Sequence, residues 1–395
     1  MSDVTGATGA ADVTGAEIWR SFCDRLASLG ERVLADAPAS PMARAEGVHH
    51  LANQVACWLT YAIGHTDPAH PAFFRSSDPV YQWGGPNADQ VARRAMIAGD
   101  GTYRISGTMG SCEEFILQVK LGATQSGGAG IATEVSASGL GLGPGDSFEL
   151  ILSPGEPTGR PDAWIELHPE ASFVHIRDYY FDWQPAEPAT FVIERLDTQG
   201  TPRPSRNLAG VGAILDCAAT EIEHSLEFWS GYQQRMLADQ PANTFGAPAP
   251  AGRGVLDILY SHSGVSLADG EALVITIHHD DAPMWDVQLY NRPWYEALDF
   301  ANRVTCLNHR LAHVDHDGAV RVAIANRDPG VANWLDTEGR TDVLATIRWW
   351  RASGTPHLEH RVVPISSLDF ASVDAAARHD DICRRSAHIA WRYRT

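Results

Sequence analysis

Four stretches of the chain carry side chains suited to acid–base, electrostatic or ligand-gripping work. His278-His279-Asp280-Asp281 ends the apolar run Ala272–Ile277. Neighbouring residues of a strand point to opposite faces, so the two histidines share one metal ion only if a bulge intervenes. His279 is instead a candidate acid/base. The loop Arg327–Asp336 opens on the turn Asp328-Pro329-Gly330 and ends Asn333-Trp334-Leu335-Asp336. An indole beside an amide and a carboxylate suits stacking on a ligand face with directed hydrogen bonds, and Asp336 is the second acid/base candidate. The alternative is a Trp334 that plugs the end of a sandwich while Asn333 and Asp336 satisfy loop backbone.

In Ala163–His168, Glu166 and His168 share a strand face; in Ser172–Asp178, Phe173, His175 and Arg177 do. If the two strands pair as a hairpin, a carboxylate, two imidazoles and a guanidinium converge. Solvent-facing residues of a one-sided sheet give the same alternation. Arg177 or Arg303 would then stabilise developing negative charge. The fourth stretch is Tyr81–Asp89, whose Gly-Gly-Pro turn between Trp83 and Asn87 can place Tyr81 and Asn87 in a pocket. Asp182 and Trp183, from the aromatic corner Tyr179–Trp183, and Trp285 and Asn302 complete the candidate ligand-binding set. Glu46 and His50 lie one helical turn apart, a spacing open to a metal and also to an ordinary hydrogen bond. His309, His313, Asp315, His316 and Asp317 read as a solvated turn. No serine sits in a Gly-x-Ser-x-Gly strand–turn–helix context.

Elements that position these residues follow from periodicity. Residues 1–15 lack large apolar groups and are expected to be disordered. A helical segment over 16–65 carries Ile18, Phe22, Leu26, Leu29 and Val33, then Val48, Leu51, Val55 and Leu59, at helical spacing. A first β-sandwich region is expected over 66–200, with Tyr103–Gly107 and Glu114–Leu121 as a hairpin. A linking helix over 205–238, a second, jelly-roll-like sandwich over 253–370 and a C-terminal helix over 371–395 complete the order. In the second region Trp285, Val287 and Leu289 alternate with Met284, Asp286 and Gln288. Strand runs separated by a helix imply a mainly β, α+β protein with two antiparallel sandwiches, not a parallel α/β sheet.

The residues Trp285–Asn291, Asn302-Arg303, Asp317-Gly318, Asn333–Asp336 and Arg348-Trp349 together resemble the bacterial family called domain of unknown function 1214. That family is often preceded by a companion, domain of unknown function 1254, and Tyr81–Asp89 with Arg177–Trp183 resembles the N-terminal part of its long relatives. The resemblance implies paired jelly-roll sandwiches with helical additions and brings no established chemistry. Asp336 stands where many members have Pro or Ala, and His278-His279 lies outside the pattern.

A net charge of −19 argues against nucleic acid and against an anionic membrane surface. No apolar run reaches the roughly 18 residues of a membrane span. The N-terminus lacks a basic patch followed by an apolar block, so a leader is not expected. Six dispersed cysteines without a C-x-x-C pair fit a reducing cytoplasm. The expectation is a cytoplasmic small-molecule enzyme of lyase or hydrolase type, with no organic cofactor and no metal. Its neutral or partly hydrophobic substrate would sit between Trp285 and Trp334, and assembly into a homo-oligomer is left open. The alternative is a non-catalytic double sandwich that binds a small molecule or carbohydrate.

Overall fold

The computed structural model describes residues 14–37, 40–158, 164–184, 187–252, 254–278 and 282–394. The chain is mainly β, with a long helix between two β regions. Helices α1 (Gly15–Asp36) and α2 (Pro41–Gly64) come first. Thr14 starts α1 through a reciprocal capping box with Glu17, and Ser40 caps α2 ahead of Pro41.

The first sandwich packs a five-stranded sheet on a four-stranded one. The five-stranded sheet contains β1 (Phe74–Ser77), β2 (Gln90–Met96), β4 (Glu114–Lys120), β5 (Ile131–Ser136) and β8 (Phe173–Tyr179), in the order β1-β2-β8-β4-β5. The four-stranded sheet runs β7-β6-β3-β9, from β3 (Tyr103–Thr108), β6 (Ser147–Ser153), β7 (Trp164–Glu166) and β9 (Thr190–Arg195). Val91, Leu117, Val174 and Ile176 of one sheet meet Tyr103, Ile105, Leu150 and Leu152 of the other in a dry core.

Helix α3 (Leu208–Leu237), capped by Asn207, leads to the second sandwich. Its five-stranded sheet holds β10 (Ala249–Pro250), β11 (Ile258–Ser266), β13 (Met284–Tyr290), β14 (Cys306–Asn308) and β17 (Asp342–Trp350), ordered β10-β11-β17-β13-β14. Facing it are β12 (Glu271–His278), β15 (Ala319–Ala325), β16 (Trp334–Asp336) and β18 (Leu358–Pro364), ordered β16-β15-β12-β18. Helix α4 (Ala375–Arg392) returns across both sandwiches. Its Arg384 donates to the Trp183 carbonyl and its Arg378 to that of Val331.

One expected pairing is corrected, and one considered conditionally does not form. Tyr103–Thr108 and Glu114–Lys120 are not a hairpin, because β3 and β4 enter different sheets. The strands bearing Glu166 and His175 are also apart: β7 pairs in parallel with β6, and β8 lies between β2 and β4. Local text cannot choose a strand's partner, and a sandwich alternates its sheets along the chain.

Candidate functional site

A cavity of about 550 Å³ lies between the two five-stranded sheets. That size and enclosure suit a small organic molecule. One wall comes from alternate residues of β2 and β8, where Arg94, Phe173, His175, Arg177 and Tyr179 face outward from the first sandwich. Their neighbours Val91, Val174 and Ile176 point into the core, as a two-residue period requires. Tyr260 and His262 of β11 and Arg348 of β17 form the opposite wall. Phe228, Trp229 and Tyr232 of α3 close one side.

The turn at Gly84-Gly85 shapes the remaining edge. Both glycines have positive φ, and a Cβ on Gly85 would lie 2.3 Å from the Tyr295 ring while one on Gly84 would lie 2.8 Å from Trp229. Buried Asn53 and Gln54 of α2 hold this turn by hydrogen bonds to the Gln82 backbone at 3.1–3.2 Å. The close approach brings Asn87 to the cavity, where its amide donates to Asp286 at 3.0 Å.

Charge is distributed unevenly around this space. Arg94, Lys120, Arg177 and Arg348 line it, and no Asp or Glu does so among the described residues. The excess of 49 acidic over 30 basic residues makes that local reversal more telling. Arg348 is neutralised from behind by Asp286 at 2.8 Å and also donates to the Tyr290 hydroxyl at 2.5 Å. Arg177 has a neutral partner, the Gln118 side-chain oxygen at 2.9 Å. Arg94 lies over the Tyr61 ring at 3.9 Å and the Phe173 ring at 5.0 Å, and its buried Nε has no hydrogen-bond partner among the described residues. Ring faces attract a guanidinium without occupying its N–H groups.

Two imidazoles complete the surface. Burial, reinforced by Arg177, Lys120 and Arg94, drives the His175 pKa well below its ordinary value. Its buried Nε2 has no hydrogen-bond partner among the described residues. His262 is lowered to about 3 by burial and by Arg348, and its Nδ1 meets the Thr346 hydroxyl at 3.0 Å. Both rings are neutral at pH 7. Behind the Asn87 edge, Asp89 accepts from Trp183 at 2.8 Å and from Asn308 at 2.6 Å, tying the two sandwiches together. Burial and the neighbouring Asp286 push the Asp89 carboxyl upward.

Of the residues proposed from sequence, Arg177 and Asn87 line the cavity. His279 lies outside the described residues. The others do not line it, and most of their side chains are committed elsewhere. Trp285 is 2% exposed in the second core, on the inward phase of β13. Trp334 is buried against Ala272, Ala323 and Val331 and donates to the Ala325 carbonyl. Asn333 satisfies the backbone of His313 and Arg321, and Asp336 pairs with Arg303 at 2.7 Å. The alternative of a plugged sandwich end is therefore what the loop shows. Tyr81 packs on Phe74, Asp182 is exposed, Trp183 stacks on His388, and Asn302 bonds to Asp299. Glu46 and His50 diverge to Arg340 and Glu296.

Sequence reasoning passed over Arg94, Lys120, Tyr260, Tyr295 and the α3 aromatics. The helical spacing of Phe228, Trp229 and Tyr232 was a usable signal, since the three rings crowd one end of a single helix.

Residues 260–353 match the family described as "Protein of unknown function (DUF1214)". An uncharacterized protein from Burkholderia cenocepacia of known crystal structure is 31% identical, with 89% of this chain and 98% of that chain covered and a TM-score of 0.81. The VPA0106 protein from Vibrio parahaemolyticus is 11% identical over 78% of this chain and 96% of that one, at a TM-score of 0.46. No curated protein matches the chain. The chain belongs to the family of the Burkholderia protein and carries the region described as "Protein of unknown function (DUF1214)".

Proposed function

We propose that this protein binds a small, partly apolar organic anion in the cavity between its sandwiches. The observation that carries this reading is four basic side chains and no acidic one around the cavity, among the described residues. A carboxylate or similar oxyanion would meet Arg177 and Arg94 at one end, with His175 Nε2 available as a neutral hydrogen-bonding partner. The rings of Phe173, Tyr179, Trp229 and Tyr260 would enclose its apolar body. An anion is preferred here to the neutral or partly hydrophobic substrate expected from sequence, because a neutral ligand would leave Arg94 and Arg177 without a counter-charge among the described residues. The carbohydrate reading loses its motive once Trp334 and Trp285 are core residues.

In this reading residues 66–200 act as the companion domain of unknown function 1254, since β2 and β8 supply one wall. Turnover of lyase or hydrolase type is the second reading, and His175 favours it. An anion close to this imidazole would oppose the burial that keeps it neutral and raise its pKa toward the range of a working base.

Incubating the purified protein with a metabolite extract, then releasing and identifying retained compounds by mass spectrometry, tests both readings. Retention of an unchanged organic acid supports binding, and conversion of that acid to a product supports turnover. Retention of only neutral compounds contradicts the proposal.

A further inference from the structure

Outside the lining of the cavity, the rim of the second sandwich gathers three residues able to hold a metal. His278 ends β12, and His357 and Glu359 flank the start of β18, the edge strand beside it. The pairing Thr276↔Glu359 and Ile277↔Leu358 sets His357 opposite His278. His357 and Glu359 are two residues apart on an edge strand and so project from one face. One ligand atom from each of the three lies within 4.8 Å of the others. The two imidazole rings are 5.3 Å apart, and His357 Nε2 is 3.4 Å from Glu359 Oε1.

The geometry points to a surface site for a divalent transition-metal ion, held by His278, His357 and Glu359, with zinc as its natural occupant. Two imidazoles and one carboxylate form a donor set well suited to zinc and leave a fourth position for water. Zinc–nitrogen bonds of about 2.0–2.1 Å put neighbouring ligand atoms roughly 3.3 Å apart in a tetrahedron. Closing from the present spacing takes modest rotamer changes, which exposed side chains make at small cost. The sequence-based objection, that His278 and His279 face opposite ways, does not touch this set. The second histidine comes from the neighbouring strand. An ion here would clip the exposed edge strand β18 to β12, a join distinct from the ligand cavity and independent of its occupant.

The test is equilibrium dialysis of untagged, full-length protein against zinc chloride, with bound metal counted by mass spectrometry. The chain has 17 histidines, so stoichiometry alone decides nothing and variants must locate the site. One zinc per chain at micromolar concentration is expected. His278→Ala and His357→Ala should each weaken it at least about 10-fold, the lower end of what even outer-shell partners contribute. Glu359→Gln should weaken it too. All three positions are at the rim, so unchanged melting without zinc shows that the variants fold. A wild-type chain that takes up no zinc at tens of micromolar overturns the proposal. Undiminished uptake by both histidine variants does so as well.

Discussion

Trp334→Ala separates a core plug from a binding loop. Trp334 is 7% exposed, surrounded by Ala272, Ala323, Val331 and the side chains of Ile365, Leu368 and Phe370. Burying an aromatic of roughly 150–250 Å² at about 25 cal/mol per Å² is worth about 4–6 kcal/mol, an upper estimate because unfolded chains already bury some surface. The indole also donates to the Ala325 carbonyl at 3.1 Å, and Arg378 lies 5.2 Å from the ring centre. Loss of that hydrogen bond adds little, since Thr337 N still donates to the same carbonyl at 3.3 Å. The expected cost is therefore about 3–5 kcal/mol, as for Trp→Ala in packed interiors. Urea denaturation followed by circular dichroism reads it. Trp334→Phe, which keeps most of the ring, should lose about 1–2 kcal/mol and guards against an alanine variant too unstable to purify. Ligand affinity should not change in either, because Trp334 does not line the cavity. A loss below about 1.5 kcal/mol with ligand binding abolished would refute this reasoning.

Three further outcomes are expected. Asp336→Asn should lower stability by less than about 2 kcal/mol, since Arg303 is half exposed, and should leave ligand affinity unchanged; calorimetric titration beside denaturation checks both. Burial lowers the His388 pKa to about 3, so the unfolded chain takes up a proton that the fold refuses, and stability is lost as pH falls from about 6.5 toward 3. His388→Asn keeps a donor for the Gln184 carbonyl and should remove up to about 1.4 kcal/mol per pH unit of that acid loss, read from denaturation at several pH values. Thiol titration should label exposed Cys23 and Cys383 first in the native protein and recover six groups after denaturation without reductant. Cys306, pushed up to about 12 by burial, should be among the protected ones.

The elements were more legible than their partners. The alternation of Phe173, His175 and Arg177 stated which side chains share a face, and they do share one wall of the cavity. The alternation of Trp285, Val287 and Leu289 likewise marked one face of β13, but periodicity does not say which face is dry. Trp285 therefore read as a pocket wall and is core. Asn333, Trp334 and Asp336 misled for a related reason: a buried loop needs the same amides and carboxylates for its backbone as a binding loop needs for a ligand. Arg94 and Arg348 are brought to one cavity by strands more than 250 positions apart. No local spacing encodes that meeting, and it depends on how two sandwiches dock.

The most direct measurement titrates wild type and Arg177→Gln with a panel of aromatic and short-chain carboxylic acids and their primary amides, by isothermal calorimetry. Among the described residues, Arg177 is the cavity cation that hydrogen-bonds only to a neutral amide, so glutamine removes charge without stranding a buried carboxylate. At least one acid should bind at least about 10-fold more tightly than its amide, and Arg177→Gln should erase at least about 10-fold of that affinity, the 1.5–3 kcal/mol scale of a charged hydrogen bond. Amides binding as well as their acids, or a variant that binds acids as tightly as wild type, would contradict the anion-binding account.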